Sequence, residues 1–249
     1  MYKWKVCPIQ GRQLKDVREE DLYGDFRFCN TYRGGGGYDQ FPTIAEARSL
    51  TCDGDMGLQF VVQLFGCPLD CYYCYVTRDG IFGKYTEYTT RELVGAYYNA
   101  YLAKNAGVFH LMGGAPALYS DWWWEILDEL DENTIFHSDI LLTEIDYNMN
   151  SFRKANRPNA LYAVDIKGVS EEDYYRNTRR QFNAKRFWYN FYVVVDSGVD
   201  FYLTFTNPDP YQLEVFKERL VARYGDYILN DHFVIDLIDY EALDNEETD

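Results

Sequence analysis

LQFVVQLFGCPLDCYYCY, Leu58 to Tyr75, joins a strand-like run to three closely spaced cysteines. Its first half is a β-branched, apolar run closed by Gly66, the pattern of a buried strand feeding a loop. Its second half sets Cys67, Cys71 and Cys74 in a C-x3-C-x2-C spacing just past that strand's C-terminal end. Three thiolates on one short loop can hold three corners of a cubane cluster or three positions around zinc, whereas a closed structural zinc site wants four protein ligands. The zinc reading therefore needs a fourth ligand from elsewhere, Cys52 or a histidine. Three unliganded buried thiols are the blander alternative.

Toward the C-terminus the same unit recurs. Thr89 to Gly107 opens on a cap residue and an acidic first turn and carries apolar residues at helical spacing. Strands are expected at Val108–Met112, Asp139–Glu144, Ala160–Ile166, Phe201–Thr206 and His232–Ile238. Helices are expected at Ser120–Asp131, Tyr147–Ala155, about Glu171–Val195 and Tyr211–Tyr224. Six strands alternating with helices imply right-handed βαβ units and a parallel sheet, with ligands gathered at the strands' C-terminal ends.

Residues 1–56 read differently. They hold a four-glycine run, Gly34 to Gly37, and no lasting period, so they are expected to form an N-terminal extension packed on the domain. Residues 57–240 form the expected barrel domain, and 241–249 an acidic tail.

Composition narrows the function classes. Lys+Arg 24 against Asp+Glu 40 gives −16, without a dense basic patch, so a nucleic-acid backbone would meet repulsion. No stretch approaches the ~18 apolar residues of a membrane span, and the expectation is a cytoplasmic protein with no membrane partner. Six cysteines, three of them in one loop, suit metal ligation in a reducing compartment better than a disulfide framework. The spacings of Cys7, Cys29 and Cys52 match no common metal motif. The aromatic excess, 24 Tyr and 16 Phe, is assigned to packing. His110, His137 and His232 have no ligand-type spacing and are read as hydrogen-bonded structural residues.

Cys67, Cys71 and Cys74, with Tyr73 before the third cysteine, resemble the C-x3-C-x-aromatic-C motif of the radical S-adenosylmethionine (radical SAM) superfamily. The resemblance covers about Leu58 to Ile238. It implies a partial (β/α)6 TIM-type barrel and an oxidoreductase-type enzyme whose [4Fe-4S] cluster has three irons bound by cysteine and presents the fourth to S-adenosylmethionine. It further implies reductive cleavage of that molecule to a 5′-deoxyadenosyl radical, which abstracts hydrogen from a substrate, and a reducing partner such as flavodoxin or ferredoxin.

Gly113-Gly114-Ala115-Pro116, after the second strand, resembles the superfamily's G-G-E-P segment, which holds the methionine amino group through backbone contacts. Ala115 stands where the family usually has glutamate. Asp165-Ile166-Lys167 resembles the D-x-K segment of glycyl-radical-enzyme activating enzymes, where the lysine lies near the methionine carboxylate. Thr143 and Glu144 are candidates for ribose or methionine contacts, and Tyr73 for the adenine. No catalytic side chain is singled out.

Among superfamily members the chain looks most like the small activases, although Tyr75-Val76 replaces their usual His-Asn. The sibling reading is a tailoring enzyme acting on a small molecule or peptide. The rival from another class is a zinc-binding interaction module without turnover.

Overall fold

The run Leu58–Gln63 forms a strand that is buried along its length beyond Leu58. The computed structural model describes residues 4–9, 22–30, 58–74, 76–231 and 234–237. Within them the order is β1 (Trp4–Val6), β2 (Leu22–Tyr23), β3 (Phe26–Asn30), β4 (Leu58–Gln63), α1 (Arg78–Phe82), β5 (Thr86–Tyr88), α2 (Thr90–Lys104) and β6 (Val108–Met112). A 3-10 helix (Pro116–Trp122) then leads into α3 (Trp123–Glu129), followed by β7 (Ile135–Leu141), α4 (Met149–Ala155), β8 (Ala160–Ile166) and α5 (Glu171–Thr178). The chain continues through α6 (Ala184–Ser197), β9 (Phe201–Thr206), α7 (Pro210–Tyr224), α8 (Tyr227–Asn230) and β10 (Val234–Leu237).

One sheet runs β10-β9-β8-β7-β6-β4-β3-β2. The six strands from β4 to β10 are parallel, which with the intervening helices is the α/β architecture of a partial (β/α)6 TIM-type barrel. Two antiparallel strands from the N-terminal segment, β3 and β2, continue the sheet beyond β4. A separate ribbon pairs β1 with β5. No helix among the described residues is long and apolar enough to cross a membrane.

Local chemistry explains the helix limits. Thr89 and Glu92 form a reciprocal capping box at the start of α2, and Asn105 closes it in the left-handed region. Asp209 caps α7 with Pro210 in its first turn, and Gly198 ends α6 at φ 74.

Three expectations need correction. The third parallel strand is Ile135–Leu141, not Asp139–Glu144, so Thr143 and Glu144 lie in the loop beyond it. The expected helix at Ser120 instead starts as a 3-10 turn from Pro116 and becomes α-helical at Trp123. The helical stretch from Glu171 breaks at Arg179, which turns left-handed at φ 57. His232, Cys52 and the acidic tail lie outside the described residues.

The parallel strands β4, β6, β7, β8 and β9 present two unlike faces. Phe60, Val62, Phe109, Leu111, Phe136, Tyr162, Leu203 and Phe205 belong to one apolar core with the helices. Aromatic contacts lock it: Tyr97 of α2 meets Phe60 and Phe109, Trp123 of α3 stacks on Tyr162 at 5.3 Å, and Phe216 of α7 meets Phe205. Such pairs add about 0.5–1.5 kcal/mol each beyond area burial, which gives the aromatic excess its place.

Several of the alternate positions are polar. Gln59 and Gln63 on β4, His110 on β6, His137 and Asp139 on β7, Asp165 on β8 and Tyr202 and Thr204 on β9 share the opposite face by register. Burying such groups costs stability unless they are paired. This inner face is therefore the part of the sheet that stability does not explain.

Candidate active site

The cysteine loop leaves β4 through Gly66, at φ 95, and is fastened on every side. Phe65 N donates to Lys5 O and Gly66 N to Ile81 O, both at 2.9 Å. Asp70 N donates to Thr178 O at 3.0 Å, Arg180 Nε to Pro68 O at 2.7 Å, and Asn207 Nδ2 to the Tyr72 hydroxyl at 2.8 Å. The loop is thus held by elements flanking β8 and β9 as well as by its own strand.

Cys67, Cys71 and Cys74 are half-buried free thiols. Burial pushes all three above the ordinary thiol value, Cys71 to about 12. Tyr73 is buried, and its hydroxyl approaches the Cys71 sulfur. Thiolates around one zinc at ~2.3 Å stand about 3.8 Å apart. These three sulfurs are not gathered that tightly; among the described residues the group whose donor atoms all lie within 4.8 Å is His110, His137 and Asp139.

The glycine turn after β6 sits on this loop. Gly113 and Gly114 have φ 72 and 57, and Ala115 N donates to Gly66 O at 2.7 Å. A Cβ on Gly114 would collide with Leu64 O and come within 2.7 Å of Gly66 O. The glycine is thus demanded by the approach of two backbone segments. Pro116 and Ala115 are buried at the start of the 3-10 helix.

Lys167 is no surface lysine. Its ammonium lies 3.0 Å from Asp165 Oδ2 and 5.9 Å from the Tyr73 ring centroid, and only a fifth of the side chain is exposed. Burial, the largest influence, lowers its pKa, but Asp165, Tyr73 and Cys71 together outweigh it and hold the ammonium well above the ordinary lysine value. Asp165 Oδ1 accepts from the Thr204 hydroxyl at 2.7 Å. Asn177, fully buried, donates to the carbonyls of Lys167 and Thr206 at 2.9 Å and so ties the ends of β8 and β9.

Thr143 is buried, with its hydroxyl bonded to that of Tyr174. Glu144 is half-exposed at φ 65, an unusual conformation for a side chain with a Cβ. Asn190 of α6 holds this segment, donating to Leu142 O and Ile145 O and accepting from Tyr147 N.

No spacing in the sequence announces the polar inner face. His110 and His137 are far apart in sequence but adjacent across β6 and β7, their ring centroids 4.2 Å apart. Burial pushes both imidazoles down to about 3, and it raises Asp139 above the usual carboxylate value. The available signal is an isolated polar residue at an alternate position of an otherwise apolar strand. A groove of about 670 Å³ among Tyr97, Tyr101, Asp131 and Pro158 lies at the opposite, N-terminal ends of the strands, away from these groups.

The family model of the radical SAM superfamily matches residues 61–211, well over half of the chain, from β4 through the cysteine loop to the start of α7. The chain belongs to the radical SAM superfamily. Membership brings S-adenosylmethionine and a [4Fe-4S] cluster as the cofactors that its residues have to fit.

Among solved structures, histidine-tagged anSMEcpe with bound AdoMet is similar at 16% identity and a TM-score of 0.47, over 70% of this chain and 48% of that one. The cobalamin-dependent S-adenosylmethionine radical enzyme OxsB is similar at 12% identity and a TM-score of 0.43, over 60% and 24%. SuiB of Streptococcus suis, bound to S-adenosylmethionine, is similar at 8% identity and a TM-score of 0.36, over 70% and 45%. The chain thus matches less than half the length of each. No curated protein matches it.

The donor set fits the radical SAM cofactors. Three soft donors on one short loop suit a multi-iron centre and leave one metal corner without a protein thiolate from this loop.

Proposed function

We propose that Cys67, Cys71 and Cys74 would hold three irons of the cluster and leave the fourth for the amino and carboxylate groups of S-adenosylmethionine. The observation that carries this is the cysteine loop at the C-terminal end of the first parallel strand, fastened to the glycine turn by the Ala115–Gly66 bond. When bound and reduced, these cofactors supply a 5′-deoxyadenosyl radical that takes a hydrogen atom from a substrate.

This chain's residues orient and shield. Lys167, paired with Asp165, supplies a positive charge for the methionine carboxylate. The backbone of Gly113, Gly114, Ala115 and Pro116 receives the amino end. Glu144 is left for a ribose diol, since the Thr143 hydroxyl is already engaged by Tyr174. Tyr73 braces Cys71 and borders the adenine position.

For the substrate we favour a small, polar, ionisable molecule over the glycine of a partner enzyme. The inner face of Gln63, His110, His137, Asp139, Asp165 and Tyr202 offers charge and hydrogen bonds that a peptide glycine would leave unused. The exposed Arg78, Arg179 and Arg180 around the cysteine loop suit an acidic protein reductant such as flavodoxin or ferredoxin. With such a reductant we read the protein as cytoplasmic.

The test is Cys71→Ala. Anaerobically reconstituted wild type is expected to hold about four irons and to cleave S-adenosylmethionine with dithionite, and the variant to lose both. Full cleavage by the variant, or zinc in place of iron in the wild type, would overturn the assignment. Deuterium appearing in 5′-deoxyadenosine from a labelled small molecule, rather than from a peptide glycine, separates the tailoring reading from the activase one.

A further inference from the structure

We propose that His110, His137 and Asp139 form a second, mononuclear site for a divalent first-row transition ion on the inner face of the barrel. One donor atom from each lies within 4.8 Å of the others. His137 and Asp139 are alternate residues of β7 and so share a face, and His110 stands opposite His137 on β6. Two imidazoles and one carboxylate approaching from one side make a facial N2O set, which suits Zn2+, Fe2+ or Co2+ and leaves positions open on the other side.

The surroundings prepare the nitrogens. Gln59 Oε1 lies 2.6 Å from His110 Nδ1 and accepts its proton, which turns the bare lone pair of Nε2 toward Asp139 Oδ1, 3.8 Å away. That separation is too long for a hydrogen bond. His137 Nε2 lies 3.1 Å from the Tyr202 hydroxyl; donation there leaves the lone pair on Nδ1. Both His110 Nε2 and His137 Nδ1 are buried without a hydrogen-bond partner, in residues only 7% and 4% exposed. Orphaned buried nitrogens are costly, and two of them beside one carboxylate are explained together by one ion.

Donors about 2.1 Å from a tetrahedral ion stand about 3.4 Å apart, so side-chain adjustments of about an ångström close the set. Arg27, which contacts Met112 Sδ at 3.9 Å, adds positive charge to the same wall. The open positions therefore suit an anionic oxygen ligand, such as a substrate carboxylate or hydroxide. The site is one row below Asp165 and Lys167, so an ion here would hold a substrate oxygen beneath the cysteine loop. It uses none of the residues assigned to the cluster or to S-adenosylmethionine and stands or falls separately from them.

The probe is zinc alone. Cluster-loaded full-length protein is equilibrated anaerobically with two equivalents of Zn2+, freed of excess, and assayed for zinc and iron by mass spectrometry. One zinc per chain is expected in addition to the cluster iron. His110→Gln and His137→Gln are each expected to weaken zinc, measured by chelator competition, by roughly a hundredfold at unchanged iron. Absence of zinc in the wild type, or equal retention in both variants, would overturn the site. Zinc K-edge absorption on the wild type needs no variant: a nitrogen and oxygen shell is expected, and a sulfur shell would overturn it. The iron count reports on the cluster independently, so a failed cluster and a failed zinc site give different results.

Discussion

The backbone amide of Ala115 donates to the carbonyl of Gly66 at 2.7 Å, which makes the glycine turn and the entry to the cysteine loop one piece. Gly114 permits that contact, because a Cβ there would collide with Leu64 O and the backbone is at φ 57. Gly114→Ala is expected to cost about 3 kcal/mol or more and to abolish S-adenosylmethionine cleavage. Gly24→Ala, also at positive φ but with nothing within 4 Å, should cost only about 1 kcal/mol. Urea unfolding of both variants checks this; equal costs would show that strain at φ, rather than the contact, demands the glycine.

Lys167 and Asp165 act as a pair in a place where neither is well hydrated. A charge-assisted contact to the methionine carboxylate is worth about 1.5–3 kcal/mol. Lys167→Met should therefore weaken S-adenosylmethionine binding about tenfold to a hundredfold at near-normal iron content. Equilibrium dialysis against labelled S-adenosylmethionine, with iron counted on the same sample, is the measurement. Unchanged affinity would remove Lys167 from the site.

Asn190 is the brace of the loop after β7. Its amide makes three bonds, to Leu142 O at 2.9 Å, Ile145 O at 2.6 Å and Tyr147 N at 3.1 Å. Asn190→Leu keeps the branching and the number of side-chain heavy atoms but strands three backbone groups, at a cost of about 3 kcal/mol. The loop carrying Thr143 and Glu144 should become a site of early proteolytic cleavage, and a wild-type digestion pattern would count against the brace.

The strands at Val108–Met112, Ala160–Ile166 and Phe201–Thr206 are legible to the residue, because each is a short apolar run bounded by turn residues. The motif segments are legible too, since parallel strands put their C-terminal loops at one end. What stays hidden is local. In Ile135–Leu141 the inward His137 and Asp139 break the apolar run, so the strand reads as beginning later than it does. Strand β3 has only alternate apolar residues, Phe26 and Phe28, and its pairing with β4 spans a long intervening segment. The His110–His137–Asp139 group is a product of register across two strands, which no spacing in the sequence encodes.

The cysteines outside the loop provide the contrast that tests the ligand assignment. Cys7 is buried, and its sulfur donates to Ile81 O at 3.8 Å, which gives the thiol a partner other than a metal. Cys7→Ala removes one buried sulfur and should cost about 1 kcal/mol through the small cavity it leaves. Iron content and S-adenosylmethionine cleavage should stay at wild-type levels, as they should in Cys29→Ala, whose position on β3 pairs with Gln59, at the end of β4 away from the cysteine loop. Iron analysis of these variants beside Cys71→Ala decides the matter. Loss of cluster iron in Cys7→Ala or Cys29→Ala would mean that the N-terminal segment supplies a ligand, and that the loop's three thiolates are not the whole set.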